Sequence, residues 1–93
     1  MQSEVKAIKG GCTIEKFDIP ELNGYQLIYK FDNGYGASVV KHNHSYGGKK
    51  GLYELAVLDN EGALCYTTPI TEDVVGHLTM GEVENLLAEI SYL

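Results

Sequence analysis

The feature that most constrains this chain lies near its C-terminal end. Thr79-Met80-Gly81-Glu82 has the spacing of a capping box, with Thr79 as N-cap and Glu82 reaching back to its amide. Val83, Leu86, Leu87, Ile90 and Leu93 follow at helical spacing, while Glu84, Asn85 and Glu89 fall on the wetter side. This predicts an amphipathic helix with one apolar stripe, and such a stripe must be buried against another element. No earlier segment repeats the helical period, so the helix needs a sheet to lie on.

The preceding sequence supplies strands. Gly24 to Phe31 puts Tyr25, Leu27, Tyr29 and Phe31 on one face and Gln26, Ile28 and Lys30 on the other. Asp32-Asn33-Gly34 then reads as a hairpin turn, because Asn and Gly tolerate positive φ. The next strand runs from Tyr35 to about His42, with Tyr35, Ala37, Val39 and Lys41 on one face. The small residues Gly36, Ala37 and Ser38 leave room for a helix or another backbone to approach. Leu52 to Leu58 reads as a central strand with Tyr53, Leu55 and Val57 facing one way, and Asp59-Asn60-Glu61-Gly62 as a turn into a short strand from Ala63 to Thr67. Residues 3–8 and 12–18 are weaker strand candidates, and 68–78 reads as a connection anchored by Pro69. Tyr25, Tyr29, Tyr35 and Tyr53 lie on strand faces that could form one cross-strand cluster. The expected fold is therefore a single α+β domain over residues 1–93. It is an antiparallel β-meander of four to six strands with one C-terminal amphipathic helix packed on one face. The opposite face is expected to be solvated or covered by a second copy, as in a homodimer.

Composition narrows the setting. No apolar run approaches the roughly 18 residues of a membrane span, so no membrane partner is expected. Residues 1–6 lack a signal-peptide layout, and two cysteines, Cys12 and Cys65, are too few for a disulfide scaffold. A reducing, cytoplasmic location follows as the expectation. The net charge of −6 is unevenly distributed. Residues 1–53 carry all seven lysines against five acids, whereas residues 54–93 carry eight acids and no lysine. Arginine, the commonest reader of base edges, is absent, which argues against specific nucleic-acid binding.

The basic island from Lys41 to Lys50 is the candidate binding element. His42, His44, Tyr46, Lys49 and Lys50 are the residues expected to engage a protein partner, since charge concentrated in a Gly-containing loop suits recognition. The spacing does not fit a phosphate-binding P-loop. His42 and His44 would point the same way on a strand, but a metal site needs a third ligand from His77, Cys65, Glu54 or Asp73, so no metal is assigned. No cofactor and no catalytic residue is assigned either. Cys12 and Cys65 lack a neighbouring His in sequence, Ser38 and Ser45 lack a nucleophile-elbow context, and the carboxylates do not resolve into an acid and a base. The acidic half offers an alternative, a nucleic-acid mimic that blocks a DNA-binding protein or nuclease. Helix capping and the helix dipole account for several of these acids without a partner. A metal-dependent enzyme is the more distant alternative.

Three stretches carry a resemblance: Asn33-Gly34-Tyr35-Gly36-Ala37-Ser38-Val39-Val40; Tyr46-Gly47-Gly48 with Gly51 to Leu58; and Thr68-Pro69-Ile70-Thr71-Glu72-Asp73-Val74-Val75-Gly76-His77-Leu78-Thr79. Together they resemble a group of short, uncharacterised proteins encoded in phages and prophages, over roughly the last two-thirds of the chain. The resemblance implies an accessory protein of the bacterial host cytoplasm that binds, and in some cases inhibits, a host or phage protein. It brings no catalytic residues, and the shared positions are mostly ones that shape a scaffold.

Overall fold

Asn33 shows why the chain turns where it does. Its Oδ1 accepts the Tyr35 amide at 2.9 Å, Gly34 takes a φ of 93°, and the Gly34 amide donates to the Phe31 carbonyl at 3.1 Å. The computed structural model describes residues 8–43, 50–65 and 74–93. They form β1 (Cys12–Ile19), a 3-10 turn (Pro20–Leu22), β2 (Gly24–Phe31), β3 (Gly36–Lys41), β4 (Tyr53–Leu58), β5 (Val75–Leu78) and α1 (Met80–Ser91). The strands lie in the order β1-β2-β3-β4-β5, each antiparallel to the next, with α1 packed on one face. This is the α+β meander with one C-terminal helix that the sequence predicts.

The register explains the core. Tyr29 pairs with Ala37 and Ala37 with Val57; Leu27 pairs with Val39 and Val39 with Leu55. Directly opposed residues share a face, so these columns form one apolar surface. On it, Val83, Leu87, Ala88 and Ile90 of α1 are buried, each large side chain contributing about 1.5–3 kcal/mol. Leu86 and Leu93 pack against the same cluster while partly exposed. The capping box is complete: the Glu82 amide donates to Thr79 Oγ1 at 3.2 Å and the Thr79 amide to Glu82 Oε1 at 2.9 Å. At the other end of α1, Asn33 Nδ2 donates to the Ile90 carbonyl at 2.8 Å and the Lys9 amide to Ser91 Oγ at 2.8 Å.

The structure departs from the sequence reading in two places. Val75–Leu78 is a strand, not part of a connection. Leu55 opposes Val75 and Tyr53 opposes Leu78, so a bulge intervenes, with His77 at a φ of 57°. The inward residues are thus three apart, and the period-2 signal is lost. The strand expected from Ala63 is reduced, among the described residues, to an isolated bridge between Leu64 and Leu58. Tyr29 belongs to the core cluster, with Tyr35 and Tyr53 packed against it. Tyr25 meets Tyr53 and Tyr29 stacks with Phe31. Of the candidate strand 3–8 only Ile8 is described; it lies outside any strand and packs on the core.

Candidate functional site

One end of the sheet gathers the predicted binding residues that are described. His42 follows β3 directly and is half-buried, and the Asn43 amide is fixed by the Leu22 carbonyl at 2.9 Å. Lys50 is exposed just before β4. His44, Tyr46 and Lys49 lie outside the described residues.

Beside His42, on the face that carries α1, a row of side chains crosses the sheet. Asp18 opposes Tyr25, and Tyr25 opposes Lys41. Tyr53 continues the row from β4 and opposes Leu78 on β5. The Tyr25 and Tyr53 hydroxyls are 2.8 Å apart, and their rings meet edge to face at 67° with centroids 6.3 Å apart. Lys41 Nζ lies 5.6 Å from the Tyr25 centroid and 5.5 Å from that of Tyr53. Lys16 Nζ lies 4.9 Å from the Tyr25 centroid and 3.7 Å from Asp18 Oδ1. Cation–π contacts at exposed sites contribute about 0.5–1 kcal/mol each.

Two phenols hold two protons, and one is used between them. Among the described residues the second has no acceptor, and Lys41 makes no ion pair. With Lys16 paired to Asp18, the row therefore presents the Lys41 ammonium and a phenolic donor, a set that suits a carboxylate. Sequence reasoning placed Lys41 at the head of the basic island but missed Lys16 as a member of this site. The turn places Lys41: once Phe31 faces Tyr35 across it, Tyr25 falls opposite Lys41, whereas Lys16 comes in through the β1–β2 register, opposite Leu27.

The Tyr53 phenol is held above its ordinary pKa, chiefly by the hydrogen bond with Tyr25 and then by burial, with Lys41 acting the other way. Burial, followed by the charges of Cys12 and Glu84, raises Tyr29 as well. A raised phenol keeps its proton in the folded state where the unfolded chain has begun to lose it. Stability is then level below the unfolded value of about 10 and falls as pH rises through the folded value. Urea unfolding from about pH 8 to about pH 11 should show this fall. Tyr53→Phe should reduce it; an identical profile in the variant would exclude the Tyr25–Tyr53 bond as a cause.

Several acids have structural tasks. Asp59 accepts the Glu61 and Ala63 amides at 2.9 and 3.0 Å, Asp32 accepts the Gly11 amide at 2.7 Å, and Glu82 completes the helix cap. Glu61, Glu84 and Glu89 are exposed, and Glu72 and Asp73 lie outside the described residues. Among the described residues no three His, Cys, Asp or Glu side chains converge as a metal-ligand set. Cys12 and Cys65 are free thiols packed partly buried against the core. A cleft of about 350 Å³ at the far end of the sheet is lined by Lys30, Tyr35, Asn60 and Glu61 among others. It joins mixed groups with no common chemistry. No described helix is long and apolar enough to cross a membrane. No family model matches the chain, and neither does any curated protein or solved structure.

Proposed function

We propose that this is a small non-enzymatic binding protein that captures an acidic stretch of a protein partner. The contact surface is the Tyr25–Lys41–Tyr53 row with Lys16, extended by the loop that begins at His42 and ends at Lys50. The observation that carries this reading is the convergence of Lys16 and Lys41 on the hydrogen-bonded tyrosine pair. Tyrosine offers a large rigid contact area with a polar tip, and lysine supplies the charge that draws an acidic partner. The resemblance to short phage and prophage proteins extends the proposal to its setting: the bacterial host cytoplasm, a host or phage protein as partner, and inhibition as the outcome. The capping and turn duties of Glu82 and Asp59 weaken the nucleic-acid-mimic alternative.

The test uses a fluorescent peptide rich in Asp and Glu, with an oligonucleotide of equal charge as comparison, both followed by anisotropy. Lys41→Glu combined with Lys50→Glu should weaken peptide binding by at least about tenfold, with the far-UV circular dichroism unchanged. Affinity for the wild type should fall as salt rises. Unchanged peptide binding in the double variant, or an oligonucleotide that binds as tightly as the peptide, would overturn the proposal.

A further inference from the structure

Among the described residues, β1 is an outer strand of the sheet. It is eight residues long, and its six central residues are exposed. Such an edge leaves a row of backbone donors and acceptors open to another strand. It also exposes large apolar side chains on both faces: Ile14, 54% exposed, on the side of α1, and Phe17, 48% exposed, on the opposite side.

The hydrogen-bond phase of this edge can be read directly. The Phe31 amide donates to Tyr35 across the β2–β3 turn, and the Asp32 amide donates to the Gly11 carbonyl at 3.2 Å. In the β1–β2 register, Gly11 is thus opposite Asp32, and alternation turns the odd-numbered backbone groups of β1 towards β2. The even-numbered residues, Lys16 and Asp18 among them, direct their N–H and C=O groups outward.

The sequence Glu15-Lys16-Phe17-Asp18-Ile19 is complementary to itself in antiparallel pairing. With Phe17 on a two-fold axis, Lys16 of each copy faces Asp18 of the other, twice over. Lys16 and Asp18 then form the hydrogen-bonded pairs, giving four backbone bonds between chains. Phe17 meets its counterpart as a non-hydrogen-bonded pair, the type in which side chains approach closest. Placing the axis at Glu15, Lys16 or Asp18 would instead set like charges opposite each other, which is destabilising. Pro20 has no N–H, so the ladder ends beyond Ile19. The isologous symmetry that a closed dimer requires is thus present in five residues.

We propose that two copies of this chain join along β1, antiparallel and centred on Phe17, into one continuous sheet with both helices on the same face. The proposal goes beyond the binding function above and does not rest on it. The short ladder and the net charge of −6 on each copy make this a weak, concentration-dependent dimer.

Sedimentation equilibrium at about 0.15 M salt, over a series reaching about 1 mM chain, should show the wild type passing from monomer to dimer. Lys16→Asp alone and Asp18→Lys alone should each remain monomeric, because each sets like charges against its own copy. An equimolar mixture of the two variants restores both ion pairs and should dimerise again, which also shows that both are folded. A wild type that stays monomeric, single variants that dimerise like the wild type, or a mixture that stays monomeric would each overturn the proposal. Register is tested separately in chains carrying Cys12→Ser and Cys65→Ser, treated with a mild thiol oxidant. Phe17→Cys should cross-link to a dimer and Ile14→Cys should not; the reverse result would overturn the assigned axis.

Discussion

Leu55→Ala is expected to destabilise the fold by about 3–4 kcal/mol, measured as a lowered urea midpoint with the slope unchanged. Leu55 is completely buried, lies between Val39 and Val75 in the register, and belongs to the core cluster that includes Val83 and Ile90. The strand on each side is held by its own ladder, so the walls cannot close on the space left behind. The loss is a large share of the about 5–15 kcal/mol typical of a domain's total stability. Leu64 is the control. It is 47% exposed, and Leu64→Ala should change stability by no more than about 0.5 kcal/mol. Equal effects at the two positions would contradict the placement of the core.

Gly24→Ala should cost about 2–3 kcal/mol and also weaken peptide binding. A Cβ at Gly24 would fall onto the Lys41 carbonyl oxygen and come within 2.5 Å of His42 Cβ and 2.6 Å of His42 Cα. These are backbone and near-backbone atoms, so no side-chain rotation relieves the overlap. Either β2 or the end of β3 must shift, and the end of β3 carries Lys41 into the tyrosine row. Gly62 provides the contrast: a Cβ there meets nothing within 4 Å, and only its φ of +83° resists substitution. Urea unfolding and peptide anisotropy on Gly24→Ala test both effects, and a variant with wild-type stability and affinity would show that the close approach has no energetic weight.

The sequence announced those elements whose local pattern and tertiary role agree. β2 alternates cleanly, and both its ends are marked, so its bounds of 24 and 31 could be read directly. The helix was legible because Thr79 and Glu82 mark its start and its stripe has the right period. β5 was hidden because a bulge places Val75 and Leu78 three apart on the core side, and because His77 occupies a left-handed conformation that no strand pattern anticipates. The tyrosines illustrate a different limit. Their strand faces were visible, but which ones meet depends on register across two turns, and a shift of one residue would have separated Tyr25 from Lys41. Of the predicted binding residues, His42 and Lys50 flank the tyrosine row, whereas the lysines that meet its rings come from β1 and β3.

The bond between the Lys9 amide and Ser91 Oγ joins positions 82 residues apart in the chain. It sits with Asn33 and Ile90 at one pole of the sheet, and the tyrosine row sits at the other, separated by the eight residues from Tyr25 to Asn33, about 26 Å at 3.3 Å per residue. The Leu93 carbonyl accepts from Asn33 Nδ2 at 3.4 Å, so a tether attached at Leu93 emerges from the pole remote from Tyr25 and Tyr53. A molecule held there presents its lysine-flanked tyrosines outward.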